Sequence, residues 1–186
     1  MRVVNPATDE VLRDVVVDDP ATVAEKYRRA RAAQPVWART PLAERLAAIE
    51  RFSALVVGRT EALAQTLTAE VGKPIVQSRR ELAGLLPRID FFVGRTAEVL
   101  AEQVVLASPD LEERIRQEPL GVVANVSAWN YPWFVGANAF VPALLTGNAV
   151  LYKPSELATL TGLAIGALLH EAGVPTDVFA VVAGDG

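Results

Sequence analysis

Two short segments hold the side chains best suited to chemistry: Ser127-Ala128-Trp129-Asn130-Tyr131-Pro132-Trp133 and Lys153-Pro154-Ser155-Glu156. Asn130 offers a neutral amide donor of the kind that stabilises a developing oxyanion. Lys153 has the reach and charge to meet a phosphate or a ribose, and Glu156 can accept hydrogen bonds from ribose hydroxyls. Each has a plainer reading when taken singly. Trp129 and Trp133 could be core aromatics, Asn130 a turn residue before a helix, and Lys153 to Glu156 a solvated helix entry. What decides between the readings is whether the fold brings both segments to one place.

The pattern after residue 120 predicts that it does. Val122–Val126 is a short β-rich run, and a helix follows Pro132 as far as Leu145, closed by Thr146-Gly147-Asn148. Ala149–Tyr152 is a second strand, and Thr159–Ala172 a second helix closed by Gly173-Val174-Pro175. Val178–Val182 is a third strand. Apolar strands alternating with helices through short connections predict a parallel sheet covered on both faces. Right-handed crossovers make it half of a doubly wound, dinucleotide-binding sheet. Ligands of such sheets bind beyond the carboxyl ends of the strands, and both segments fall there. The third strand is left with one side unpaired unless another segment or chain covers it.

Upstream of about residue 104 the sequence has a different character. Residues 3–17 predict two short strands joined by a turn, and Asp19-Pro20 is an N-cap followed by Pro at the first helical position. Val23, Tyr27, Ala30, Gln34 and Trp37 share one face of that helix. Thr40-Pro41 starts a second helix, whose stripe from Leu42 through Leu46, Ile49, Val56 and Leu63 to Leu67 runs unbroken to the stop at Gly72-Lys73-Pro74. A third helix is expected from about Val76 to Leu100, with Leu82, Leu85, Leu86, Ile89 and Phe92 inward. These three long helices are packing elements, and none presents catalytic chemistry. The expected organisation is therefore a strand pair with helices over 1–104, a β segment over 105–119, and a β-α-β-α-β unit over 120–186.

Composition narrows the function classes. Net charge is −4 with no clustered Lys or Arg, which argues against nucleic acid and anionic membranes as partners. No apolar run approaches the ~20 residues needed to span a bilayer, and the first residues lack the apolar core of a signal peptide. A cytoplasmic protein is the expectation. With no cysteine and one histidine, the chain has no disulfide, thiolate metal site, histidine cluster or cysteine nucleophile. His170, in the last turn of a predicted helix, reads as a cation favoured by the helix dipole. The phosphate-loop pattern and a G-x-G-x-x-G after the first strand are absent, and no Tyr precedes a Lys by four positions.

Glu118-Pro119-Leu120-Gly121-Val122-Val123, Trp129-Asn130-Tyr131-Pro132, Pro142 to Val150, Lys153-Pro154-Ser155-Glu156 and Gly173-Val174-Pro175 resemble the aldehyde dehydrogenase superfamily. Asn5-Pro6-Ala7-Thr8, Ala38 to Arg45 and Gly72-Lys73-Pro74 are similar to its N-terminal region, so the resemblance runs along essentially the whole chain. It implies a truncated Rossmann-like fold and a parent activity, the NAD(P)-dependent oxidation of an aldehyde to a carboxylic acid. It implies that Asn130 holds the oxyanion formed after thiol attack. Val126, Ser127, Ala128 and Trp129 would line the cofactor, Lys153, Ser155 and Glu156 would hold the adenosine ribose, and Gly186 would let the backbone approach the adenine. A carboxylate at Glu156 repels a 2′-phosphate, so NAD is favoured over NADP. Ala128 departs from the family, which usually places Pro before Trp-Asn. Phe134 and Asn138 are expected along the substrate tunnel, and Leu111–Gln117 in an interface of a homo-oligomer. The family's general-base Glu and catalytic Cys fall beyond residue 186, so these residues are expected to be an inactive N-terminal part. The alternative is a non-catalytic cofactor-binding or assembly module.

Overall fold

The computed structural model describes residues 1–185. The chain opens with an antiparallel pair, β1 (Arg2–Val4) and β2 (Val11–Asp14). Four helices follow: α1 (Pro20–Arg39), α2 (Leu42–Gly58), α3 (Thr60–Val71) and α4 (Ile75–Val99). Asp19 caps α1 by accepting from the Thr22 amide, as its position before Pro20 predicts.

The single helix expected between Thr40 and Gly72 is in fact two. Arg59 leaves helical geometry at φ −119° and ψ 11°, which ends α2 and begins α3. The Thr60 hydroxyl donates to the carbonyls of Val56 and Val57, adding a side-chain donor at the end of α2, where the regular helical ladder stops. The apolar stripe passes through the break without losing phase, which is why periodicity alone hides it.

A β-hairpin, β3 (Gln103–Ala107) with β4 (Glu112–Ile115), then projects from the body, and every residue in both strands is exposed. The last unit is β5 (Val122–Val126), α5 (Pro132–Leu145), β6 (Ala149–Lys153), a 3₁₀ turn at Glu156–Ala158, α6 (Thr159–Glu171) and β7 (Phe179–Val181). The three strands are parallel in the order β5-β6-β7, matching the predicted half of a doubly wound sheet. β7 is an edge strand of this sheet among the described residues.

The crossovers place α5 and α6 on one face of the sheet. Helix α1 contacts all three strands and so covers the other face. Trp37 of α1 donates its indole N–H to the Leu144 carbonyl, and Gln34 donates to Gly147. Helices α2, α3 and α4 pack over α5 and α6 as an outer layer. One apolar cluster runs through these layers, from Phe52, Leu67 and Leu85 to Phe140, Tyr152 and Phe179. His170 lies in the last turn of α6 and is held there by a 2.8 Å contact from Nε2 to the Phe179 carbonyl.

Candidate functional site

Strands β5 and β6 set the geometry of the rim. Val126 is in register with Lys153, and the Ser127 amide donates to the Lys153 carbonyl at 2.9 Å. Both candidate segments therefore leave neighbouring strands at the same level, about 5 Å apart. Residues 128–130 are exposed, Val126 is 76 % exposed and Trp129 is 50 % exposed, so apolar surface faces outward beside the Lys153 ammonium.

The Asn130 side chain accepts from the Tyr131 amide through Oδ1 at 3.1 Å. That bond needs the carbonyl oxygen and so leaves Nδ2 as a donor with no partner among the described residues. In the second segment the Lys153 ammonium lies 3.7 Å from Glu156, which is itself exposed. The Ser155 hydroxyl is buried; it accepts from the Leu157 amide and donates to Glu156. A bond from its own backbone amide, aided by Ser155 and Lys153, holds the Glu156 carboxyl below its ordinary value.

Ser127 is different. Its side chain is 4 % exposed and lies beneath α5, where a Cβ on Gly136 would meet the Tyr152 and Ser127 hydroxyls at 2.9 and 3.3 Å. Only its main chain faces the rim. The same close approach explains glycine at 136: any side chain there would lift α5, and the loop before it, off β6. Burial pushes the Tyr152 phenol up to about 12, so it is a neutral packing group rather than a proton acceptor. Phe134 and Asn138, expected along a tunnel, lie half-buried on α5, with Phe134 lining a cavity of about 460 Å³. Gly186 lies outside the described residues.

The groups that hold the rim in place come from the N-terminal helices. Helix α5 begins with Pro132 and has no side-chain cap of its own. The fully buried Glu81 of α4 supplies one instead, accepting from the amides of Trp133 at 2.8 Å and Phe134 at 3.4 Å. Its second oxygen receives the Lys73 ammonium at 2.6 Å. Helix α6 is capped in the same way by Glu70 of α3, which accepts from the Leu160 and Thr161 amides and the Thr161 hydroxyl. Burial raises the Glu70 carboxyl, an effect that these three donors partly offset. Sequence reading missed both roles, although a signal was present. Glu70 continues the Leu63–Leu67 stripe, and Glu81 lies four residues before Leu85. A carboxylate on a core-facing stripe must find a partner there.

Fold and rim together define the class: a parallel α/β sheet of the dinucleotide-binding kind, with a free amide after its first strand and a cation–carboxylate pair after its second. Comparison with known proteins narrows this further. The sequence model described as the aldehyde dehydrogenase family matches residues 1–186, and the chain belongs to that family. It is 34 % identical over 184 residues to the 3,6-anhydro-alpha-L-galactose dehydrogenase of Streptomyces coelicolor, a match that covers 99 % of this chain and 37 % of the relative. The crystal structure of the aldehyde dehydrogenase KauB from Pseudomonas aeruginosa superposes with a TM-score of 0.95 at 31 % identity, over 100 % of this chain and 38 % of that one. An NAD-dependent benzaldehyde dehydrogenase from Corynebacterium glutamicum gives 0.93 at 30 % identity, over 100 % and 41 % respectively. The chain thus spans about two fifths of the length of the proteins it matches.

Proposed function

We propose that this chain supplies the adenosine-binding rim and one oxyanion donor of an NAD-dependent aldehyde dehydrogenase, which oxidises an aldehyde to a carboxylic acid. The observation that carries the reading is the shared rim, where the unpartnered Asn130 amide and the Lys153–Glu156 pair leave adjacent strands. The donor set suits the adenosine half of a dinucleotide. Val126 and Trp129 offer apolar surface, and Ser127 and Ala128 present main chain. Lys153 and Glu156 offer a donor and an acceptor to ribose hydroxyls, with Ser155 fixing the turn between them. The Glu156 carboxylate sits where a 2′-phosphate would meet like charge, which favours NAD while leaving NADP accessible to a tolerant site.

NAD, when bound, accepts the hydride released as the aldehyde is oxidised. The part of Asn130 is electrostatic: its Nδ2–H meets the oxygen on which negative charge gathers after nucleophilic attack, and loss of such a donor typically slows a reaction by ~10²–10³. The attacking thiolate is proposed to come from outside these 186 residues, which contain no cysteine. The proposed setting is a cytoplasmic homo-oligomer joined partly through the exposed β3–β4 hairpin. No helix among the described residues is long and apolar enough to cross a membrane.

The test is a titration with NAD followed through tryptophan fluorescence, since Trp129 lies at the rim. Saturable quenching is expected. Lys153→Ala should weaken it about tenfold, a typical worth for one hydrogen bond to a charged group. Glu156→Gln should narrow the preference for NAD over NADP. Folded protein with no NAD response, or an unchanged response in both variants, would refute the reading.

A further inference from the structure

The Asn130 amide is useful only if its direction is fixed, yet the loop that bears it has little holding it. Among the described residues, the only hydrogen bond to the main chain of residues 128–130 comes from the Lys73 ammonium, which donates to the Asn130 carbonyl at 2.6 Å. The same ammonium is 2.6 Å from Glu81 and 4.7 Å from the centre of the Tyr131 ring. Its donors are thus directed at the loop on one side and at the carboxylate on the other.

Both anchor residues stand on rigid supports. Lys73 lies between Gly72, which closes α3 at φ +78°, and Pro74, which opens α4. A Cβ on Gly72 would fall 2.8 Å from Pro6, so this corner is packed as well as conformationally fixed. The Glu81 side chain is fully buried and grips the first free amides of α5. A carboxylate buried this deeply needs a partner, and the Lys73 ammonium at 2.6 Å is that partner. The ion pair therefore ties the start of α5 to the Asn130 carbonyl through a path of three short bonds.

We propose that Lys73 and Glu81 are positioning residues for the Asn130 amide: the ion pair clamps the loop from behind and holds Nδ2 at the angle an oxyanion requires. The proposal rests on the oxyanion role given to Asn130 above. It predicts a larger effect on turnover than on cofactor affinity, because the clamp bonds the Asn130 carbonyl and makes no bond to Lys153 or Glu156.

The informative variant is Lys73→Met/Glu81→Gln, which removes both charges together and so leaves no buried unpaired ion. The amide oxygen that replaces the Glu81 carboxylate can still accept from Trp133, while the bond to the Asn130 carbonyl is gone. In the catalytically competent protein that carries this chain, kcat is expected to fall about 10–100-fold, the scale of a misplacement near 1 Å, with a much smaller change in KM for NAD. Lys73→Arg should restore part of the loss. Asn130→Ala measured beside them separates the two ideas. If Asn130→Ala leaves kcat intact, the oxyanion reading fails and the clamp loses its purpose. If Asn130→Ala is damaging but the double variant is not, the clamp alone is wrong. A triple variant no slower than Asn130→Ala is the expected result for residues acting through Asn130, and an additive loss refutes it. On the 186-residue chain itself, the side-chain amide resonances of ¹⁵N-labelled Asn130 should be distinct and collapse towards free-asparagine values in the double variant. Unchanged resonances there would overturn the proposal without any assay of turnover.

Discussion

Replacing Glu70 with Ala removes an acceptor from three donors at the start of α6: the Leu160 amide, the Thr161 amide and the Thr161 hydroxyl. Leu160 is half-buried, so water can reach its amide once the carboxylate is gone. Thr161 is 1 % exposed, and its amide would be stranded. A stranded buried donor costs about 1–3 kcal/mol, and loss of a helix cap about 0.5–2 kcal/mol. Part of this is returned, because burying the carboxylate is itself unfavourable and raises its pKa. A net loss of about 2–3 kcal/mol is expected, which for a urea m-value near ~2 kcal/mol/M moves the unfolding midpoint down by about 1 M. The assay is urea unfolding followed by circular dichroism, with m unchanged. A midpoint shift below about 0.3 M would show that α6 does not depend on a cap from α3.

The same residue makes a pH prediction with a definite sign. A carboxyl whose value is raised by folding contributes stability below the ordinary carboxylate range and loses it as pH climbs through the raised value. Glu70→Gln cannot titrate, so the advantage of the natural protein over this variant should shrink as pH rises. An advantage that grows with pH would mean that the three donors outweigh burial.

Two further outcomes follow from the packing. A Cβ on Gly162 would lie 2.5 Å from Pro154, so Gly162→Ala should lower stability by about 1–3 kcal/mol and weaken NAD binding by displacing Lys153 and Glu156. Gly94 of α4 meets nothing within 4 Å, so Gly94→Ala should instead stabilise by about 0.5–1 kcal/mol. Thermal melting and NAD titration distinguish the two, and equal effects would refute the steric argument. The β3–β4 hairpin exposes Val104, Val105, Leu106, Leu111 and Ile115. An isolated two-stranded ribbon is marginal in water, so this one is expected to pair with another copy. Sedimentation should show a concentration-dependent oligomer that Leu106→Asp/Ile115→Asp abolishes with the monomer fold intact; a monomer at 100-micromolar concentration (about the highest practical range) would count against the interface.

The β-α-β-α-β unit was legible because its signals are local. Pro132 and Gly147 bracket α5, Gly173 follows α6, and the strands are mostly apolar. The break at Arg59 was not legible, since Leu46, Val56, Leu63 and Leu67 keep one phase across it. Positions of chemistry-bearing residues were legible where a strand end fixes them, as with Asn130, Lys153 and Glu156. Ser127 shows the limit. One residue along a strand end reverses the facing of a side chain, and close packing of Gly136 on Tyr152 settles which way it turns. Most hidden were Lys73, Glu70 and Glu81, whose partners on the rim and its helices lie 52 to 91 positions away in sequence. A stripe analysis marks two of these carboxylates as out of place, but only the fold says which helix each one caps.

Those two caps alter what the sheet can bind. In doubly wound folds the helix N-termini behind the ligand rim are natural anion sites, with free amides and a positive dipole end. Here Glu81 closes one and Glu70 closes the other, each nearly or fully buried. An anionic diphosphate finds two carboxylates where it would otherwise find amides, so neither α5 nor α6 can seat it. Cationic charge at this rim comes instead from a side chain, Lys153, which on the proposed reading puts recognition of a dinucleotide at its ribose end. The N-terminal helices are therefore more than a wrapping for the sheet. They close its two ready-made anion sites, and in doing so hold the Asn130 loop and the Lys153–Glu156 turn at the heights the rim requires.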